Sequence, residues 1–79
     1  MFEVGDEVKI TFVHYKDFEM GKGVVIKTSA STAHVEVTEV FEGIKAMPRV
    51  GSKMIFLQTG EERGTRRYRF GKRLSKVSR

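Results

Sequence analysis

The sequence predicts an all-β chain folded as a small barrel of five short strands. Three observations carry that expectation. Apolar and polar residues alternate at period two in several separate stretches. Glycines and small polar residues break the chain between those stretches at short intervals. No segment reads as a convincing helix, and Gly43, Pro48 and Gly51 interrupt the one long stretch without alternation. With so few residues, a closed or nearly closed barrel is favoured over an open sheet because it hides its edge strands.

The elements follow in order. A turn at Gly5 and Asp6 leads into a first strand, with Val8, Ile10 and Phe12 on one face and Lys9 and Thr11 on the other. Residues 14–20 lose the alternation and read as a loop with aromatic contacts. Gly21, Lys22 and Gly23 punctuate it, at positions where glycine tolerates positive φ. A second strand covers Val24 to Thr28. The polar run Ser29-Ala30-Ser31-Thr32 has the composition of a hairpin turn. The third strand, His34 to Val40, sets Val35 and Val37 against His34, Glu36 and Thr38, and a link this short pairs strands two and three antiparallel. Lys53 to Thr59 is a fourth strand, apolar on both faces in its middle and therefore buried. After the glycine-bracketed turn Gly60 to Gly64, a fifth strand runs from Thr65 to about Leu74.

Length and composition set the outer bounds. Seventy-nine residues make one domain, 1–79. A chain of this size buries only about 60–65% of the surface its unfolded form exposes. Frequent β-branched and aromatic residues argue against disorder in the body of the chain. With no cysteine there is no disulfide, thiol nucleophile or thiolate metal site, which suits a reducing compartment. Met1 to Asp6 has neither a basic region nor an apolar run, so no signal peptide is expected, and no apolar run is long enough to span a membrane. The expected location is cytoplasmic.

Charge is the most informative feature. From Glu61 to Arg79 there are eight Lys or Arg against two Glu, whereas Met1 to Gly60 carries seven against eight. The formal net charge of +5 therefore resides in the last nineteen residues. Read as a strand, that block points Tyr68, Phe70 and Leu74 to one face and Arg67, Arg69 and Arg73 to the other. A solvated face usually mixes both signs; this one segregates them, and mostly as Arg, whose planar fork suits phosphate and carboxylate. The candidate nucleic-acid contacts are Arg63, Arg66, Arg67, Arg69, Lys72, Arg73, Lys76 and Arg79, with Tyr68 as a stacking residue. Lys22 and Lys27 are secondary candidates, on the expectation that the second strand adjoins the basic face. Tyr15 and Phe18 of the first loop are further aromatic candidates. No helix is available to read bases in the major groove, so the expected contacts are tolerant of sequence.

The stretch Val4-Gly5-Asp6-Glu7-Val8-Lys9-Ile10, then Gly21-Lys22-Gly23-Val24-Val25-Ile26, then His34-Val35-Glu36-Val37, resembles the opening of an SH3-like barrel. Within that group it is similar to the KOW modules of ribosomal proteins and transcription elongation factors. The resemblance covers residues 3 to 40. In the loop before the glycine, Lys16 to Met20 departs from the small residues usual there. The resemblance implies an SH3-like barrel and contacts with RNA, DNA or the transcription machinery; with the charge pattern, the expected fold is a five-stranded SH3-like barrel with a basic C-terminal strand and tail (residues 63–79).

Enzyme chemistry finds little support. His34 and Glu36 share a strand face but have no convergent ligands at metal spacing, and His14 stands apart. No serine occupies a nucleophile elbow, and Gly21-Lys22-Gly23 lacks the rest of a phosphate-cradling loop. The expectation is a non-enzymatic protein without cofactor or metal that binds DNA or RNA. The competing expectation is a protein-interaction module: a small accessory or virus-encoded regulator docking on RNA polymerase or the ribosome. Glu36, Glu39 and Glu42 would form an opposite, acidic pole. The oligomeric state is not legible.

Overall fold

The structure, a computed structural model, describes residues 1–12, 18–44, 47–63 and 72–77. Five antiparallel strands make one curled sheet: β1 (Glu7–Phe12), β2 (Glu19–Thr28), β3 (Thr32–Val40), β4 (Lys53–Leu57) and β5 (Lys72–Lys76). Their order is β4-β3-β2-β1-β5. Among the described residues there is no helix. The all-β expectation and the β2–β3 hairpin are borne out.

Alternation builds the core. Val8 and Ile10 of β1, Val25 of β2, Ala33, Val35 and Val37 of β3, Met54 and Phe56 of β4 and Leu74 of β5 all point inward and are buried together with Phe2. The residues between them face outward, as a period of two requires. In β4 the doubly apolar middle is resolved the same way, with Met54 and Phe56 inside while Ile55 and Leu57 are half-buried.

Three bulges bend this sheet around its core. Register shifts leave Met20 extra on β2 opposite Ile10/Thr11, Thr38 extra on β3 opposite Lys22/Gly23, and Ile26 extra on β2 opposite His34/Val35. Each inserted residue raises the local twist and kinks its strand. The ten-residue β2 thus serves two differently inclined parts of the sheet. Two expectations are corrected here. Gly21 and Gly23 do not punctuate a loop but lie inside β2. A Cβ on Gly23 would stand 2.5 Å from Val35 Cγ1 and 2.8 Å from the Glu36 carbonyl oxygen, so close strand approach demands glycine there. Thr11 does not face solvent. Flanked by the bulged β2 and by β5, it is 4% exposed, and its hydroxyl donates to the Arg73 carbonyl at 3.5 Å.

Of the expected fifth strand, residues 65–71 lie outside the described residues. β5 overlaps the expected span from Lys72 to Leu74 and continues to Lys76. Within it, Leu74 is inside and Arg73 half-exposed, as alternation requires. The side chain of Phe12, together with His14, Tyr15, Arg66, Arg67, Tyr68, Arg69, Phe70 and Arg79, lies outside the described residues.

Gly60–Arg63 ties the two edge strands. Toward β4, Leu57 N–H donates to the Glu61 carbonyl at 2.7 Å and Arg63 N–H to that of Ile55 at 3.1 Å. Toward β5, Leu74 N–H donates to the Gly60 carbonyl at 2.7 Å and Glu62 N–H to that of Lys72 at 3.1 Å. The segment is zipped on both sides, which makes the sheet barrel-like. At the start of the chain, Phe2 is fixed by Gln58, whose Oε1 accepts from Phe2 N–H at 2.7 Å. The Gln58 Nε2 donates toward the carbonyls of Phe2, Ser29 and Thr32 at 3.2–3.3 Å. One amide side chain thereby joins the amino-terminal segment, the β2–β3 turn and the end of β4.

Gly60 carries the tightest constraint on closure. Its φ is +102°, and a Cβ would meet the Leu74 carbonyl oxygen at 2.8 Å. Gly60→Ala is expected to destabilise the fold by about 2 kcal/mol or more, since strained φ and backbone overlap add. Urea unfolding of the two proteins measures it as a lower midpoint at unchanged slope.

Candidate functional site

Of the candidate cations, Arg63, Lys72, Arg73, Lys76, Lys22 and Lys27 lie in the described residues. They do not form one patch. Sheet order puts β1, not β2, beside the described β5, so Lys22 and Lys27 do not adjoin that part of the basic block. The outer row through the middle of the sheet reads Ser75, Lys9, Lys22, Glu39. Lys9 therefore occupies the place assigned to Lys22. It was not among the candidates, although the alternation of the first strand had already placed it facing outward. Its ammonium is 3.4 Å from Glu19, so that row is largely neutralised.

The lysines of β5 are neutralised as well. Lys72 Nζ lies 3.8 Å from Glu62, with both side chains mostly covered. Lys76 Nζ lies 3.4 Å from Asp6 at the more open end of the strand. No described carboxylate lies within ion-pair distance of Arg63, Arg73, Lys22 or Lys27. The segregation seen along the chain is thus partly undone in space, because Asp6 and Glu62 are brought to β5 by the turn before β1 and by the closing segment.

Asp6 organises the open end. Its Oδ2 accepts the Glu3 N–H at 2.8 Å and faces Lys76, while Val77 N–H donates to the Glu7 carbonyl at 3.0 Å. The Glu3 hydrogen bond is the main cause that lowers the Asp6 carboxyl below its ordinary 3.8; burial opposes it, and the Lys76 charge and hydrogen bond add lesser lowering effects. A shallow, mainly polar depression lined by Gly5, Asp6, Glu7, Lys76 and Val77 opens here.

A second grouping lies on the outer face beyond the Ile26 bulge. Lys27 is opposite His34, His34 is opposite Ile55, and Ile55 is hydrogen-bonded to Arg63. The next row along the strands holds Val24, Glu36 and Lys53. Glu36 is half-buried between its neighbours, while Glu39 and Glu42 are exposed. Among the described residues no group of three or more His, Cys, Asp or Glu is arranged to hold a metal ion, and no helix is long and apolar enough to cross a membrane.

No protein-family model, curated protein or solved structure matches this chain.

A carboxyl whose folded pKa is lowered contributes stability that is present above its unfolded value and lost as pH falls through the folded one. Wild-type stability should therefore decline on acidification below about 3.8 more steeply than that of Asp6→Asn. Denaturant midpoints measured from neutral pH down through that window check it. Parallel curves would remove Asp6 from the account of acid sensitivity.

Proposed function

We propose that the protein is a non-enzymatic nucleic-acid-binding protein whose contacts are mainly with the phosphate backbone of DNA or RNA. The observation that carries this reading is the surplus of six positive charges between Glu61 and Arg79. The ends of that block, Arg63 and Lys72–Lys76, are hydrogen-bonded into the sheet. Cations displayed on an ordered frame neutralise phosphates and release condensed counterions with little ordering cost. Arg63 and Arg73, with no described carboxylate in range, are the strongest contacts on the frame. The stretch from Arg66 to Arg69 supplies the remainder, with Tyr68 to stack on unpaired bases. Lys72 and Lys76 can join only by exchanging carboxylate for phosphate. For Lys76 that exchange is cheap, since an exposed ion pair contributes about 0–1 kcal/mol.

The SH3-like, KOW-type resemblance belongs to the same reading. What supports it is the antiparallel order β4-β3-β2-β1-β5 and the left-handed Gly5 that starts the first strand, at φ +94°. A cytoplasmic location would follow from that role.

The second reading is an interaction module that docks on a protein such as RNA polymerase or a ribosomal component. The exposed apolar side chains Val4, Phe18 and Val50 favour it, the two valines being more than 60% exposed. A protein interface anchored on such residues would show a shallower dependence on salt than phosphate contacts do.

Titration against duplex DNA, single-stranded DNA and a structured RNA, each at two salt concentrations, tests the proposal. Binding should weaken steeply with salt. Replacing Arg67, Arg69 and Arg73 together by Ala should weaken it similarly for all sequences and lower the log–log salt slope by about three. Unchanged affinity in the triple variant would overturn the site, and absence of binding by the wild type would transfer the case to the protein-interaction reading.

A further inference from the structure

The row Lys27–His34–Ile55–Arg63 depends on three features of the fold. The Ile26 bulge turns Lys27 to the same side as His34, the side opposite the buried Val35. Pairing of β3 with β4 sets Ile55 beside His34. The Arg63 N–H to Ile55 carbonyl bond brings the closing segment alongside and places Arg63 at the end of the row. Four successive chain segments thus contribute one residue each. At about 4.8 Å per step, Lys27 and Arg63 stand about 14 Å apart across the outer face, measured at the backbone.

The chemistry of the row is graded. Its ends are exposed cations without a described carboxylate partner. Its middle is an imidazole and a branched aliphatic side chain, both half-exposed, beside the 37%-exposed Ile26. Two acids border the row, Glu36 in register with Lys53 and exposed Glu61 in register with Arg73, and neither lies within ion-pair distance of Lys27 or Arg63. Apolar and imidazole surface flanked by cations is what an unpaired base with its adjoining phosphates requires: a flat face to rest on and charge on either side.

Curvature selects the form of the polymer. The core lies inside the curl, so this outer face is convex. A rigid duplex, convex itself, would touch it at few points, whereas a single strand can follow the curve. The row ends at Arg63, the first cation of the basic block in sequence.

From this juxtaposition we propose that the outer face of β2, β3 and β4 is a binding platform for single-stranded nucleic acid. In it His34 and Ile55 support a base, and Lys27 and Arg63 hold the neighbouring phosphates. The inference rests on the nucleic-acid reading above and extends the interface from the C-terminal block across the opposite half of the sheet.

Fluorescence anisotropy with a labelled oligothymidylate, and with a duplex of mixed sequence, tests it on the full chain. The wild type should prefer the single strand. Lys27→Ala with Arg63→Ala, both at exposed positions, should lower the salt slope for the single strand by about 1.4, the value for two lost phosphate contacts. His34→Ala should weaken single-strand binding about fivefold or more and leave duplex binding unchanged. His34→Gln, which keeps a polar side chain of similar reach, should show the same loss without disturbing the fold. If the wild type binds the single strand but all these variants bind it equally well, the platform is refuted while the C-terminal contacts stand. A wild type that prefers the duplex likewise refutes the platform alone. If it binds neither polymer, both proposals fail together.

Discussion

Closure by Gly60–Arg63 is the constraint on which the rest of this molecule depends. A five-stranded antiparallel sheet leaves two edges with unpaired backbone groups, and those edges invite pairing with another chain. Here a four-residue segment donates to and accepts from both edges, with hydrogen bonds alternating between β4 and β5. Gly60 makes this possible because the chain must turn in the left-handed region while its backbone meets that of Leu74. The same segment delivers Glu62 to Lys72 and Arg63 to the side of Ile55. Structural closure and the distribution of charge therefore share one set of residues.

The bulges are the second determinant, and they act in both packing and surface. Bending β2 at Met20 buries that methionine completely, and bending it at Ile26 turns Lys27 to the outer face beside His34. A sheet without these insertions would be flatter, with Lys27 on the inner side of its strand by simple alternation. The outer row at the heart of the proposed platform exists because one extra residue resets the parity of β2.

Much of the frame was legible along the chain because alternation reports burial locally. The inward sets of β1, β3 and β4, and the Ser29–Thr32 turn, follow from period two and turn chemistry. In that turn the Ser29 and Thr32 hydroxyls lie 2.6 Å apart. What was not legible depends on partners distant in sequence. Gly21 and Gly23 look like loop residues until Val35 and Glu39 are seen to crowd them from β3. Thr11 looks like a surface residue until β5 is laid against it. The same holds for the site. Composition located the cations in the last nineteen residues, yet it did not show that Asp6 and Glu62 engage two of them. Nor did it show that Lys9 rather than Lys22 stands next to β5, because strand order is a global property. The central part of the basic block, where the sequence signal is strongest, lies outside the described residues.

The most direct test of the proposed role is amide chemical-shift mapping of the labelled protein titrated with a single-stranded oligonucleotide at low and at moderate salt. The nucleic-acid reading predicts concerted shifts at Arg63 and through Lys72–Lys76, extending across the outer face to His34 and Lys27 and shrinking as salt is raised. A spectrum that does not move, or that moves only around Val4, Phe18 and Val50, would contradict it and direct attention to a protein partner.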